Sequence, residues 1–164
     1  MRVALISDIH GHFVALDSVL ADIDSESVDK IVCLGDIATL GPEPCEVVAR
    51  LRTLDCICIM GNHDAFLLNP DLIHGYTTVS PVIDAVSWCR NQLAKTDLDY
   101  IRSFVPHTEI DLGGKVGLFC FHGTPKSNTA SILATTPAQE LDTLIPDCTE
   151  TIMAGGHTLS LIHI

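Results

Sequence analysis

Residues 56–64, CICIMGNHD, decide the fold. The segment begins with cysteines and isoleucines of strand composition and closes on Gly61-Asn62-His63-Asp64, so it reads as a strand delivering polar groups at its end. Working back towards the N-terminus, KIVCLGD (30–36) is a second buried strand, and it ends on Gly35-Asp36. RVALISD (2–8) is a short β-rich run stopped by Gly11, with Asp8-Ile9-His10 at its end. Between these strands lie two helical patterns. In FVALDSVLADI, Val14, Leu16, Val19, Leu20 and Ile23 recur at helical spacing, and GPEPCEVVARLRTL places prolines before a helix ending near Leu54. Strand, helix, strand, helix, strand within 64 residues predicts an α/β fold with parallel strands joined by crossovers.

Beyond Ala65 the pattern changes. Ser80-Pro81 predicts a capped helix over VIDAVSWCRNQL, and Thr96-Asp97-Leu98-Asp99 predicts a second, short one. HTEIDLGGKVGLFCFHG alternates around Gly113-Gly114 and reads as a β-hairpin. Thr136-Pro137-Ala138-Gln139 opens a helix, and ETIMAGG is a last strand. The helices of residues 65–105, with Trp88, either cap a cleft or pack on the sheet, and packing is the expected role.

A chain of 164 residues, 47% apolar, is one domain with a real core. Its longest apolar runs, KVGLFCF and KIVCLG, have strand length and fall far short of a membrane span. The N-terminal MRVALISDIH lacks the parts of a signal peptide and reads as a first strand. Seven cysteines, at 33, 45, 56, 58, 89, 120 and 148, form no Cys-x-x-Cys pair. They are expected to be buried thiols in a reducing cytoplasm. Nine basic against 21 acidic residues give a net charge of −12, which excludes a nucleic-acid scaffold. The same charge obstructs an anionic substrate unless bound cations invert the local field.

Parallel strand ends share one rim of a sheet, where open α/β folds place ligands. Three early strands deliver Asp8 and His10, Asp36, and Asn62-His63-Asp64 to that rim. The hairpin adds His122, and the last strand adds His157. Carboxylate, amide and imidazole together suit divalent cations such as Mn²⁺, Fe²⁺, Zn²⁺, Co²⁺ or Ni²⁺. Singly, each residue has an ordinary reading: Asp8 as a helix N-cap, Gly35-Asp36 as a turn, Asn62 bonded to its own loop, His10 or His122 as a hydrogen-bonded histidine. Their convergence at five strand ends is what carries the prediction. His12 lies beside the cluster or on an exposed helix start, His74 and His107 read as loop residues, and Lys126 as a solvated lysine.

The ordered set D-x-H, G-D, G-N-H-D, a lone His and G-H, running from Asp8 to His157, resembles the calcineurin-like metallophosphoesterase superfamily, most of all its small microbial phosphodiesterase-type branch. The resemblance implies a sandwich of two mixed β-sheets flanked by helices. It also implies two divalent metal ions, manganese foremost, with Asp8 and His10 on the first, Asp36 bridging, and Asn62, His122 and His157 on the second. It further implies direct attack on phosphorus by a metal-bridging hydroxide, with Asn62 and His63 contacting substrate, His63 as the acid for the leaving oxygen, and Asp64 orienting His63. The substrate expected is a small-molecule phosphate ester.

The family reads G-H-x-H where this chain has Gly156-His157-Thr158-Leu159, and leucine cannot ligate. LSLIHI (159–164) also matches one reading frame of a common sequencing-library transposon adapter. Residues 1–158 are therefore expected to be the domain, incomplete at its C-terminus and lacking further strands, and 159–164 a non-native tail. A native Leu159 would favour an impaired metal- or phosphate-binding module instead. Hydrolysis by a nucleophilic Ser or Cys is disfavoured, since no Gly-x-Ser-x-Gly elbow is present.

Overall fold

The structure, a computed structural model, describes residues 1–145 and 151–158. The first sheet is parallel throughout, with β1 (Val3–Ile6), β2 (Lys30–Cys33) and β3 (Cys56–Cys58) in the order β1-β2-β3 and Leu5 paired to Val32, Cys33 to Cys58. The crossovers are α1 (Phe13–Ser25) and α2 (Pro44–Arg52). On α1 only Leu16 and Leu20 are buried, four residues apart on one face, while Val14 and Val19 of the expected stripe face outward. On α2, Val47, Val48 and Leu51 are fully buried against the same side of the sheet, and Pro44 opens the helix where its missing N–H costs nothing.

Two sheets are present as expected, but among the described residues only the second is mixed, because the β1-β2-β3 strands are joined by helical crossovers alone. Strands β4 (His107–Gly113) and β5 (Val116–Phe121) form the predicted antiparallel hairpin, and β6 (Thr151–Ala154) lies parallel to β5. Gly113, Gly114 and Lys115 make the turn at φ 88°, 64° and 69°, a left-handed run that glycine tolerates and other residues resist. The two sheets meet through Val32, Leu34 and Ile59 on one side and Ile110, Leu118 and Cys120 on the other. Truncating Ile59 there should cost ~2–5 kcal/mol, because a filled seam cannot collapse around the void.

Between the sheets the chain runs through α3 (Asn62–Leu68), a 3₁₀ turn (Pro70–Leu72), α4 (Ile73–Tyr76), α5 (Ser80–Gln92) and α6 (Lys95–Arg102), with α7 (Ala138–Leu144) preceding β6. Three local readings need correction. CICIMGNHD is strand only to Cys58, and Asn62 already begins α3, because the Asp64 carboxylate accepts the Gly61 amide at 3.0 Å and closes the first turn. The caps of α5 and α6 fall one or two residues earlier, at Val79 and Ala94, and Asp97 takes the Ala94 amide at 3.0 Å. Thr136 accepts from the Leu133 amide, so Pro137 stands at the cap of α7. Trp88 does not pack on the sheet: it is 47% exposed, and α5 buries Val86 and Cys89 instead. No helix among the described residues is long and apolar enough to cross a membrane.

Candidate metal centre

The parallel ladder continues past the strand ends. The Asp8 amide donates to the Gly35 carbonyl at 3.0 Å, His10 to Asp36 at 2.9 Å, and Gly11 to Ile37 at 2.8 Å. From the second sheet, the Gly156 amide donates to the His122 carbonyl at 2.8 Å. Along these rims Asp8, His10, Asp36 and His157 adopt φ of 53°, 48°, 58° and 66°. These are four of the seven non-glycine residues with positive φ among the described residues, and each costs on the order of 1–2 kcal/mol of backbone strain. Strain concentrated on the predicted ligands reflects side chains that are turned inward against local preference.

Two donor groups result. Asp8, His10 and Asp36 form one, and Asp36, His122 and His157 the other, with ligand atoms in each lying within 4.8 Å of one another. Asp36 belongs to both. His10 Nε2 lies 3.8 Å from Asp8 Oδ1 and 3.9 Å from Asp36 Oδ2, while His122 Nε2 lies 3.3 Å from Asp36 Oδ2 and 3.1 Å from Asn62 Oδ1. Donors bound about 2.0–2.2 Å from one cation stand roughly 3–4 Å apart, so these spacings fit. The chemistry fits as well. His122 Nδ1 faces the Leu34 carbonyl at 2.7 Å and must carry a proton, which leaves Nε2 to turn its lone pair on two further acceptors, Asp36 and Asn62. Something positive belongs between them. Asn62 Nδ2, buried beside it, has no partner among the described residues.

Without a metal, a proton serves. Burial opposes a charged His122, but the Asp36 carboxylate and the Leu34 carbonyl outweigh it and raise its pKa. Burial likewise raises Asp36, but His122, His63 and His10 outweigh it and hold the group below the usual carboxylate range. His157 is lowered, by burial first and by His122. His63, in the first turn of α3, is pushed down to about 4 by burial, an effect that the Asp36 charge offsets only in part. Its ring stands edge-on to His10 at 5.1 Å and to Phe66 at 5.2 Å, and its buried Nδ1 has no partner among the described residues.

Asp64 does not orient His63. Its Oδ2 accepts the amides of Asp36 (2.8 Å) and Gly61 (3.0 Å), and its Oδ1 accepts that of Ile37 (3.0 Å). Both oxygens are thus committed to backbone, clamping the β2 and β3 loops together. Burial and the Asp36 charge push Asp64 up to about 7, while the three amides pull the other way. The loops abut so closely that a methyl on Gly61 would overlap the Asp36 carboxylate, and one on Gly35 would lie 2.6 Å from the Gly61 nitrogen. A Cβ on Gly156 would lie 2.9 Å from Asp8 Oδ2.

The structure therefore brings Asp8, His10, Asp36, Asn62, His63, His122 and His157 to one place. His12 is the exposed cap of α1, His74 lies in α4, His107 begins β4, and Lys126 Nζ donates to the Thr143 carbonyl. Leu159 and the rest of 159–164 lie outside the described residues. Two residues escaped the sequence reading. Asn128 Nδ2 donates to the Gly61 carbonyl at 3.1 Å, and the ring of Tyr76 lies 6.2 Å from His63 and 6.3 Å from His157.

Among curated proteins, the chain is 34% identical over 124 residues to an uncharacterized protein of Methanocaldococcus jannaschii, a match covering 76% of this chain and 50% of that one. It is 30% identical over 105 residues to a symmetrical bis(5'-nucleosyl)-tetraphosphatase of Erwinia tasmaniensis, covering 56% of this chain and 38% of the other. The chain thus spans half the length, or less, of these relatives. Among solved structures, a metallophosphoesterase from Sphaerobacter thermophilus superposes with a TM-score of 0.70 at 31% identity, over 96% of this chain and 60% of that one. A hypothetical protein from Pyrococcus horikoshii shares the fold at TM-score 0.73 and 23% identity, over 87% of this chain and 63% of its own. The calcineurin-like phosphoesterase family matches residues 1–158, and with its ordered Asp, Asn and His loops the chain belongs to that family.

Proposed function

We propose that this chain carries a dinuclear metal centre that hydrolyses small-molecule phosphoesters. The observation that supports the reading most is Asp36, whose one carboxylate serves two donor groups. Asp8, His10 and Asp36 would hold one cation, and Asp36, Asn62, His122 and His157 the second. Divalent cations there, Mn²⁺ foremost and Fe²⁺, Zn²⁺, Co²⁺ or Ni²⁺ as alternatives, would supply Lewis-acid charge to phosphoryl oxygens and lower the pKa of water.

The remaining work falls to the chain. Asn62 and His63 would contact phosphoryl oxygens, a reading supported by Asn62 Nδ2 and His63 Nδ1, which are buried and without hydrogen-bond partners among the described residues. His63 would give a ring proton to the leaving oxygen as its bond to phosphorus breaks, so that this group departs as an alcohol. In the metal-free chain burial pushes its pKa down to about 4 and keeps it neutral; for the acid role the bound ester's negative charge would have to outweigh the two cations beside it. Asp64 acts as a positioning residue by fixing the loop of Asp36. All six described cysteines are free thiols, which suits a reducing cytoplasm. The tetraphosphatase relative makes dinucleoside polyphosphates one candidate substrate.

The test is a Mn²⁺-supplemented assay on bis-p-nitrophenyl phosphate, p-nitrophenyl phosphate and a bis(5'-nucleosyl) tetraphosphate. It uses this chain and a version with histidine at 159 extended to the length of its relatives. Turnover is expected in the extended chain, and none after Asp36→Ala. Metal-independent turnover that survives Asp36→Ala overturns the reading.

A further inference from the structure

Tyr76 closes α4 at the edge of the metal centre. Its ring packs on Phe66 at 5.5 Å, and Phe66 is itself buried in a cluster with Ile73 and Val86, so the tyrosine has a firm anchor on one side. The other side is open: Tyr76 is 44% exposed. Its ring centre lies 6.2 Å from that of His63 and 6.3 Å from that of His157, so it flanks the residue proposed to meet the leaving group and a member of the second donor group. The backbone beside it is uncrowded, since a side chain built on Gly75 would meet nothing within 4 Å. Leu72 and Val79, on the same segment, are also exposed.

Isolated exposed aromatic rings are ordinary on protein surfaces. Tyr76 differs in holding a fixed ring over a site whose other walls are carboxylates, an amide and imidazoles. A phosphoester bound between His63 and His157 would present its nearest substituent to that ring. A planar aromatic substituent would gain offset or edge contact there, whereas an alkyl substituent would gain little.

We infer that Tyr76 is the specificity-determining wall of this site and selects phosphoesters that carry a planar aromatic group, aryl or nucleobase, next to the reacting phosphate. This rests on the phosphoesterase reading above, and the test separates the two. The Mn²⁺-loaded chain is titrated calorimetrically with phenylphosphonate and methylphosphonate, alongside Tyr76→Leu and Tyr76→Phe. Wild type should prefer the phenyl compound by roughly tenfold. Tyr76→Leu should bring the ratio near one at unchanged Tm, and Tyr76→Phe should restore it. A ratio unchanged in Tyr76→Leu, no preference in wild type, or no binding of either phosphonate overturns the inference. In parallel, kcat/KM is compared in the extended chain for phenyl phosphate and methyl phosphate, the ratio being read in wild type against Tyr76→Leu so that the difference between the two leaving groups cancels. Hydrolysis of both with a ratio indifferent to Tyr76 sinks the inference and leaves the phosphoesterase standing. Selective phosphonate binding with no hydrolysis of either ester does the reverse.

Discussion

Asp64 and Asp36 are tied across the rim of the site. The Asp36 amide donates to Asp64 Oδ2 at 2.8 Å, while Asp36 Oδ1 accepts the amide of His63, the residue before Asp64, at 2.8 Å. Asp64→Asn replaces one acceptor with an NH₂ that faces backbone N–H donors. Stability to urea should fall by about 2–4 kcal/mol, and Mn²⁺ affinity by about 10–100-fold as the Asp36 loop loosens. Were Asp64 instead the partner of His63, the urea midpoint would barely move.

Mn²⁺ should stabilise the fold through the shared carboxylate. At a hundredfold excess over Kd the gain is about 2.7 kcal/mol, visible as a rise in Tm by calorimetry. Asp36→Asn preserves the bond from His63 but not the charge, and should lose almost all of that rise. A metal-dependent Tm shift undiminished in Asp36→Asn would place the cation elsewhere.

Two glycines offer a paired test. Gly61→Ala pushes a methyl into the Asp36 carboxylate and should cost about 2 kcal/mol or more, together with Mn²⁺ binding. Gly75→Ala, inside α4 with open space around it, should instead raise stability by about 0.5–1 kcal/mol. Thermal melts of both variants decide whether contact with the site, and not glycine content, sets tolerance.

His63 makes metal-free stability fall in acid. The unfolded imidazole takes up a proton as pH drops below its ordinary 6.5, whereas the folded one stays neutral to about 4. Its contribution is therefore whole above pH 6.5 and lost between 6.5 and 4, roughly 2 kcal/mol of it by pH 5. His122, shifted upward, acts in the opposite sense: its contribution is present in acid and lost as pH rises through its raised value. The difference between wild type and His63→Asn, followed by urea melts from pH 7 to 4, isolates the His63 share. A difference independent of pH would show that the buried ring titrates normally.

The parallel strands were legible because β2 and β3 are continuous apolar runs, and their ends named the candidate ligands by residue type alone. What the pattern hid was long-range. Asp64 looks like a partner for its neighbour His63, but its hydrogen bonds reach residues 27 and 28 positions away. The helix start at Asn62 was masked because its cap, Gly61, carries no side chain to announce it. Val14 and Val19 matched the helical period yet face solvent, since a four-residue spacing of Leu16 and Leu20 already fills the contact with the sheet. Trp88 drew notice for its size, while Tyr76, in the glycine- and threonine-rich stretch HGYTT, did not; burial and ring geometry separate them, and neither is written in composition.

The left-handed backbone at Asp8, His10, Asp36 and His157 sets the evolutionary terms of this site. At each of the four, glycine is the residue the main chain would prefer, and it is the one replacement that relaxes the loop while deleting a donor. His10→Gly is the plainest case, because it would relax the loop while removing a ring that reaches Thr39 Oγ1 at 3.2 Å through Nδ1 and the Asp8 and Asp36 carboxylates at 3.8 and 3.9 Å through Nε2. Selection for robustness alone would drift these positions towards glycine. Aspartate and histidine at these positions run against the local preference of the main chain that carries them.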